Sequence, residues 1–160
     1  MKTRTLHSLF VLTTVTLFML AGCAHKALTT DSLAVQFGEV KVSTEKAGKA
    51  VNIGGNFTVT LINRTERGMN VGFMEGALID AATDKTVMRF RPIIPEAYGG
   101  SLSTITLIPK EKKDIPVVMP LGVESFDISQ GMKVIVKLSF QTTDGYRTDA
   151  VSSPVVIVQK

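Results

Sequence analysis

The feature that most constrains this chain is a two-residue rhythm. Between Lys133 and Gln141, Val134, Val136, Leu138 and Phe140 alternate with Lys133, Ile135, Lys137 and Ser139. Successive side chains of an extended strand point to opposite faces, so this spacing lines one face of a strand and not one face of a helix. Phe57, Val59 and Leu61 repeat the pattern against Thr58, Thr60 and Ile62, with β-branched residues enriched. Val35, Phe37 and Val40 mark a further run, and others cover residues 71–80, 86–91, 102–108, 115–119 and 155–158. Gly54-Gly55, Arg67-Gly68, Asp84-Lys85, Gly99-Gly100, Gly131 and Asp144-Gly145 read as the turns between them. No stretch carries a long, capped apolar face of 3.6-residue period. The expectation is an all-β sandwich or barrel of about eight short strands.

Proline placement refines this. All six prolines lie beyond residue 91, and Pro116 and Pro120 flank Val117-Val118-Met119. A proline has no N–H to give to a ladder, so this run is expected at a sheet edge. The preceding Lys110-Glu111-Lys112-Lys113 reads as a solvated turn.

The N-terminus has a different character. Lys2 and Arg4 precede an uncharged apolar stretch from Ser8 to Ala21. At about 14 residues it is too short to span a hydrocarbon core ~30 Å thick, and its layout is that of a signal peptide. It ends in Leu20-Ala21-Gly22-Cys23, which holds the only cysteine of the chain. This resembles the lipobox of bacterial lipoprotein precursors. The resemblance implies cleavage before Cys23, a diacylglyceryl thioether on its sulfur and an acylated new amino terminus. Two or three acyl chains hold a protein on a bilayer firmly where one does not. Ala24, which follows, is not acidic; the resemblance then implies an outer-membrane location with the body facing the periplasm. The expected organisation is a removed signal peptide over 1–22, a lipidated Cys23 with a polar tether to residue 32, and one domain over 33–160.

In that body, the NFTVTLINRT segment, the LIPKEKKDIPVVMP segment and the KVIVKLSFQTTDGY segment resemble the strands of immunoglobulin-like envelope domains. The implied fold is a single immunoglobulin-like β-sandwich of about 7–8 strands. Loss of residues 1–22 takes Lys2 and Arg4 from the 18 basic residues and leaves 16 against 14 acidic ones, a net of +2. That near-neutral body carries no overall electrostatic footprint for nucleic acid.

The residues that carry chemistry are sparse. One cysteine excludes an intrachain disulfide and a cysteine-based zinc site. The mature part holds one histidine, His25, on the tether, so no Ser-His-Asp arrangement is expected in the domain. Met69, Met74, Met88, Met119 and Met132 are scattered and read as core gap-fillers. Glu75, Glu96, Glu124 and Asp127 read as surface charges. No metal, no cofactor and no catalytic residue is expected. Asn56-Phe57-Thr58 and Asn63-Arg64-Thr65 match the glycosylation sequon and read as chance.

One segment stands out. Residues 91–101 form a long connection for a β domain, with Ile93 and Ile94 between Pro92 and Pro95, then Tyr98. Ile93, Ile94 and Tyr98 are the candidate partner contacts; the competing reading folds the two isoleucines back over the core. The function expected is that of a lipid-anchored, non-enzymatic accessory or assembly protein of an envelope complex, held to the membrane through Cys23 and binding a protein partner. The alternative is a small-ligand-binding lipoprotein or enzyme with a cavity between the sheets.

Overall fold

A computed structural model describes residues 32–47, 50–98, 104–124 and 131–159. Cys23 and the segment before it lie outside these residues, as do Gly99, Gly100 and Ser101. The described chain is all-β, in two sheets packed as a sandwich.

The strands are β1 (Leu33–Ala47), β2 (Ala50–Asn63), β3 (Met69–Asp80), β4 (Thr86–Phe90), β5 (Ile105–Leu107), β6 (Lys112–Glu124), β7 (Lys133–Thr142), β8 (Arg147–Val151), β9 (Val155–Val156) and β10 (Val158–Gln159). The first sheet has the order β10-β1-β2-β6. The second runs β4-β3-β7-β8, with β5 beside β3 and β9 beside β7. All pairings are antiparallel except β1 with β10.

The rhythm of the sequence becomes the burial pattern. On β7, Val134, Val136, Leu138 and Phe140 are fully buried, and Lys137 and Ser139 face outward. Val59, Leu61, Ile115 and Val117 meet them from the first sheet as part of one core. The Phe73 and Phe140 rings stack at a tilt with centroids 4.8 Å apart. Each such side chain contributes about 1.5–3 kcal/mol by leaving water. Gly76 belongs here too: a Cβ at that position would strike the Phe90 ring, which packs directly on the β3 backbone.

Three expectations need correction. Gly54-Gly55 is not a turn but lies inside β2, where the ladder to β6 shifts register between Ile53 and Gly55. The glycine at 55 is required because the Lys41 carbonyl of β1 occupies the space of its Cβ. β8 was not foreseen, since Arg-Thr-Asp-Ala-Val is a polar edge strand with little apolar signal. The final run is split, because Ile157, 1% exposed, turns inward between β9 and β10.

The placement of β6 agrees with its prolines: it is the last strand of the first sheet. The N–H and C=O of Val118 both bond to Ile93, away from β2. Alternation puts the ring nitrogen of Pro116 on that same outer side, where no ladder bond is lost.

Both flanks of the sandwich close by the same device. On one, β4 leaves the second sheet and, three residues on, Ile93 pairs with Val118 of the first. On the other, β9 pairs with β7 in the second sheet and β10 pairs with β1 in the first. A chain that changes sheets covers the unpaired edge it crosses, which is how β proteins suppress edge-to-edge association.

Candidate functional site

The 91–98 segment resolves into an inward and an outward half. Pro92 and Ile94 are buried, and Ile94, 3% exposed, is part of the core. Ile93 lies between them with its backbone on Val118 and its side chain 42% exposed. Tyr98 ends a short 3-10 turn, Glu96–Tyr98, with its N–H donated to the Pro95 carbonyl and its side chain 38% exposed. Ile94 is thus corrected from a contact residue to a core residue: extended backbone alternates, and the bridge to Val118 turns the side chain after Ile93 inward. Of the three candidates, Ile93 and Tyr98 remain accessible. Leu121 of β6, 65% exposed, adds apolar surface to the same strand that Ile93 pairs with.

A second cluster lies where the chain enters the sandwich. Ser32 accepts a backbone hydrogen bond from the Arg64 N–H, 2.8 Å, so the entry point abuts the connection between β2 and β3. That connection is held by Asn63, the last residue of β2, whose side chain is buried although a polar loop follows it. Its Nδ2 donates to the carbonyls of Arg67 at 2.7 Å and Ile108 at 2.9 Å. Its Oδ1 accepts from the Thr65 N–H and hydroxyl at 2.9 and 2.8 Å. Asn63 therefore ties the 63–68 loop to the 108–111 turn, and its backbone N–H bonds the Glu111 carbonyl as well. The Asn-Arg-Thr spacing is an Asx turn closed by Thr65.

The 108–111 turn closes by a Glu111 N–H to Ile108 carbonyl bond, with Pro109 second and Lys110 third. Lys110 has φ 60°, the left-handed conformation that a type II turn demands at this place. Its ammonium donates to the Arg64 carbonyl at 2.9 Å and pairs with Glu66 at 2.8 Å. The Glu111 carboxylate accepts the Ile108 N–H at 2.7 Å. Ile108 itself is 64% exposed at the tip. The two linked segments also carry the exposed Arg64, Arg67 and Lys112 and the half-buried Lys113. The sequence shows each basic turn by itself; only the sandwich topology brings the two together.

The outer face of the second sheet carries paired charges. Lys137 and Asp149 are 2.7 Å apart, and the Ser139 hydroxyl donates to Asp149 at 2.6 Å. These contacts, the Lys137 one foremost, hold the Asp149 carboxyl below its ordinary value. Arg89 and Glu75 pair at 3.2 Å. A shallow cleft of about 550 Å³ opens beside them, lined by Met74, Glu75, Ser139, Arg147 and Asp149 among others. On the hairpin between β3 and β4, the Thr83 hydroxyl and the Ala82 N–H bond Asp80 and lower its pKa. No group of three or more His, Cys, Asp or Glu that could hold a metal occurs among the described residues.

No family model matches the chain, and no curated protein matches it. Solved structures that resemble it include two of low identity. One is the Northeast Structural Genomics Consortium target SoR45, 14% identical, covering 82% of this chain and 89% of its own, with a TM-score of 0.49. The other is a FixG-related protein from Vibrio parahaemolyticus, 10% identical, covering 80% of this chain and 98% of its own, with a TM-score of 0.45.

Proposed function

We propose that the protein is a lipid-anchored accessory of the bacterial envelope, a β-sandwich held at the outer membrane through Cys23 that acts by binding another protein. The observation that carries this reading is the position of the only cysteine at the end of the apolar stretch, in Leu20-Ala21-Gly22-Cys23. The fold is compatible with it. Ser32, the last residue before β1 at one end of the sandwich, lies nine residues after Cys23, which bounds the reach of the tether to about 30 Å. The protein-binding element is the flank closed by the 91–98 segment, where Ile93, Tyr98 and Leu121 are exposed on a proline-stiffened frame. A restricted backbone and a two-rotor tyrosine lose little entropy on binding.

The test pairs processing with capture. Cys23→Ala should leave an uncleaved precursor that incorporates no labelled palmitate. Ile93→Asp combined with Tyr98→Ala should leave the sandwich folded and reduce recovery of the protein in a high-mass complex after gentle extraction. Palmitate labelling that persists in Cys23→Ala, or unchanged complex recovery in the double variant, would overturn the corresponding half of the reading.

A further inference from the structure

We infer that the chain-entry end of the sandwich is a docking face for anionic phospholipid headgroups. The 64–68 and 108–113 segments hold five basic side chains, Arg64, Arg67, Lys110, Lys112 and Lys113, against two acidic ones, Glu66 and Glu111, a net of +3. Both carboxylates are engaged inside the turns, Glu66 with Lys110 and Glu111 with the Ile108 N–H. The opposite end carries no such excess: among the described side chains Glu45, Asp80 and Asp84 balance Lys46, Lys85 and Lys133. The cationic excess of the described body thus gathers in these two entry-end turns.

Three observations select a membrane as the occupant. Ser32, the first described residue, accepts the Arg64 N–H, so the chain enters the sandwich beside this face. Nine residues from Cys23 keep the face within about 30 Å of the bilayer. In the same turn as Lys110 the chain projects an isoleucine, Ile108, 64% exposed and stiffened by Pro109. An apolar tip on a cationic turn suits a headgroup interface, where the apolar group enters and the charges stay among phosphates. The contact is weak by itself and becomes effective because the anchor supplies a high local concentration. This inference rests on the anchored reading for its geometry, whereas the charge pattern stands independently of it.

The chain contains no tryptophan, so Ile108→Trp gives a single fluorescent reporter. The full protein, purified from membranes, is mixed with vesicles of phosphatidylcholine alone or with phosphatidylglycerol added, and flotation and emission are read together. Ala82→Trp, on the exposed hairpin at the far end, is the comparison. With the anionic vesicles the Ile108→Trp emission shifts to shorter wavelength and is quenched by brominated lipid. The Ala82→Trp emission does not change. The shift disappears in 1 M salt, where screening acts within about 3 Å. It also disappears when Arg67→Gln and Lys112→Gln are added, two exposed side chains whose loss leaves the turns intact.

Flotation with both vesicle types, but with no shift or an equal shift in each, overturns the docking face and leaves the anchor standing. Failure to float with phosphatidylcholine overturns the anchor, and the anionic vesicles then decide the face alone. A shift that needs added envelope protein rather than lipid assigns the end to a protein partner and overturns the inference.

Discussion

Replacing Asn63 with aspartate changes one atom of the side chain and should unlock the entry end of the sandwich. The amide nitrogen donates to two carbonyls, Arg67 at 2.7 Å and Ile108 at 2.9 Å, in a site 1% exposed. An ionised carboxylate cannot donate, so both bonds are lost and a charge faces two carbonyl oxygens without water. Two net hydrogen bonds amount to about 1–3 kcal/mol, and the buried charge adds to this, for roughly 4 kcal/mol at pH 7. At about 4 °C per kcal/mol for a domain of this size, the melting temperature should fall by roughly 15 °C. Burial against the Arg67 and Ile108 carbonyls raises the folded-state pKa of the introduced carboxyl above its unfolded value of about 3.9, outweighing the opposing pull of the Thr65 N–H and hydroxyl on the other oxygen. The protonated acid is favoured in the fold, so the penalty is smallest below pH ~4 and grows as pH rises through the folded pKa. Asn63→Ala, which buries no charge, should show a loss of roughly 2–3 kcal/mol whose size does not depend on pH. Thermal melts of the two variants and the parent from pH 3.5 to 8 make the comparison. An Asn63→Asp protein that melts with the parent at pH 7, or whose deficit widens as pH falls, would refute the role assigned to Asn63.

Further substitutions probe other parts of the account. Ile94→Asp should destabilise by several kcal/mol, as a charge buried in the core, while Ile93→Asp one residue earlier should stay within about 0.5 kcal/mol, both read by denaturant midpoints. Ser152→Ala should cost about 1–3 kcal/mol in the same assay, because the Ser152 hydroxyl accepts the buried Val136 N–H at 3.0 Å. Asp149→Asn should cost less than about 1 kcal/mol, since the ion pair it breaks is solvent-exposed. Its carboxyl is held below the ordinary aspartate value, so the contribution is present above pH ~4 and is lost as pH falls through the folded pKa. Parent and Asp149→Asn melts should therefore converge in acid.

What the sequence made legible was periodic. The β7 alternation and the prolines of β6 gave strand identity, the inward face and the edge position without any tertiary information. Signals that depend on another strand were not legible. Gly54-Gly55 has turn composition, but Gly55 answers to the Lys41 carbonyl across the ladder, a contact set by register. β8 reads as polar loop because an edge strand with one solvated face needs few apolar residues. At the candidate sites, two adjacent isoleucines look alike, and only the bridge of Ile93 to Val118 decides which enters the core. The basic end is invisible for a similar reason: Arg67 and Lys110 are 43 positions apart and share an end because the β2–β6 and β3–β5 ladders bring their turns together, where Asn63 ties them.

The central claim is that Cys23 anchors this sandwich through lipid, and mass spectrometry of the protein isolated from its own membranes addresses it most directly. The account predicts a mature chain that starts at Cys23, with an N-terminal peptide heavier than its sequence by a diacylglyceryl group and an amide-linked acyl chain. A mature N-terminus at any other residue, or a peptide beginning at Cys23 with its thiol unmodified, would contradict it.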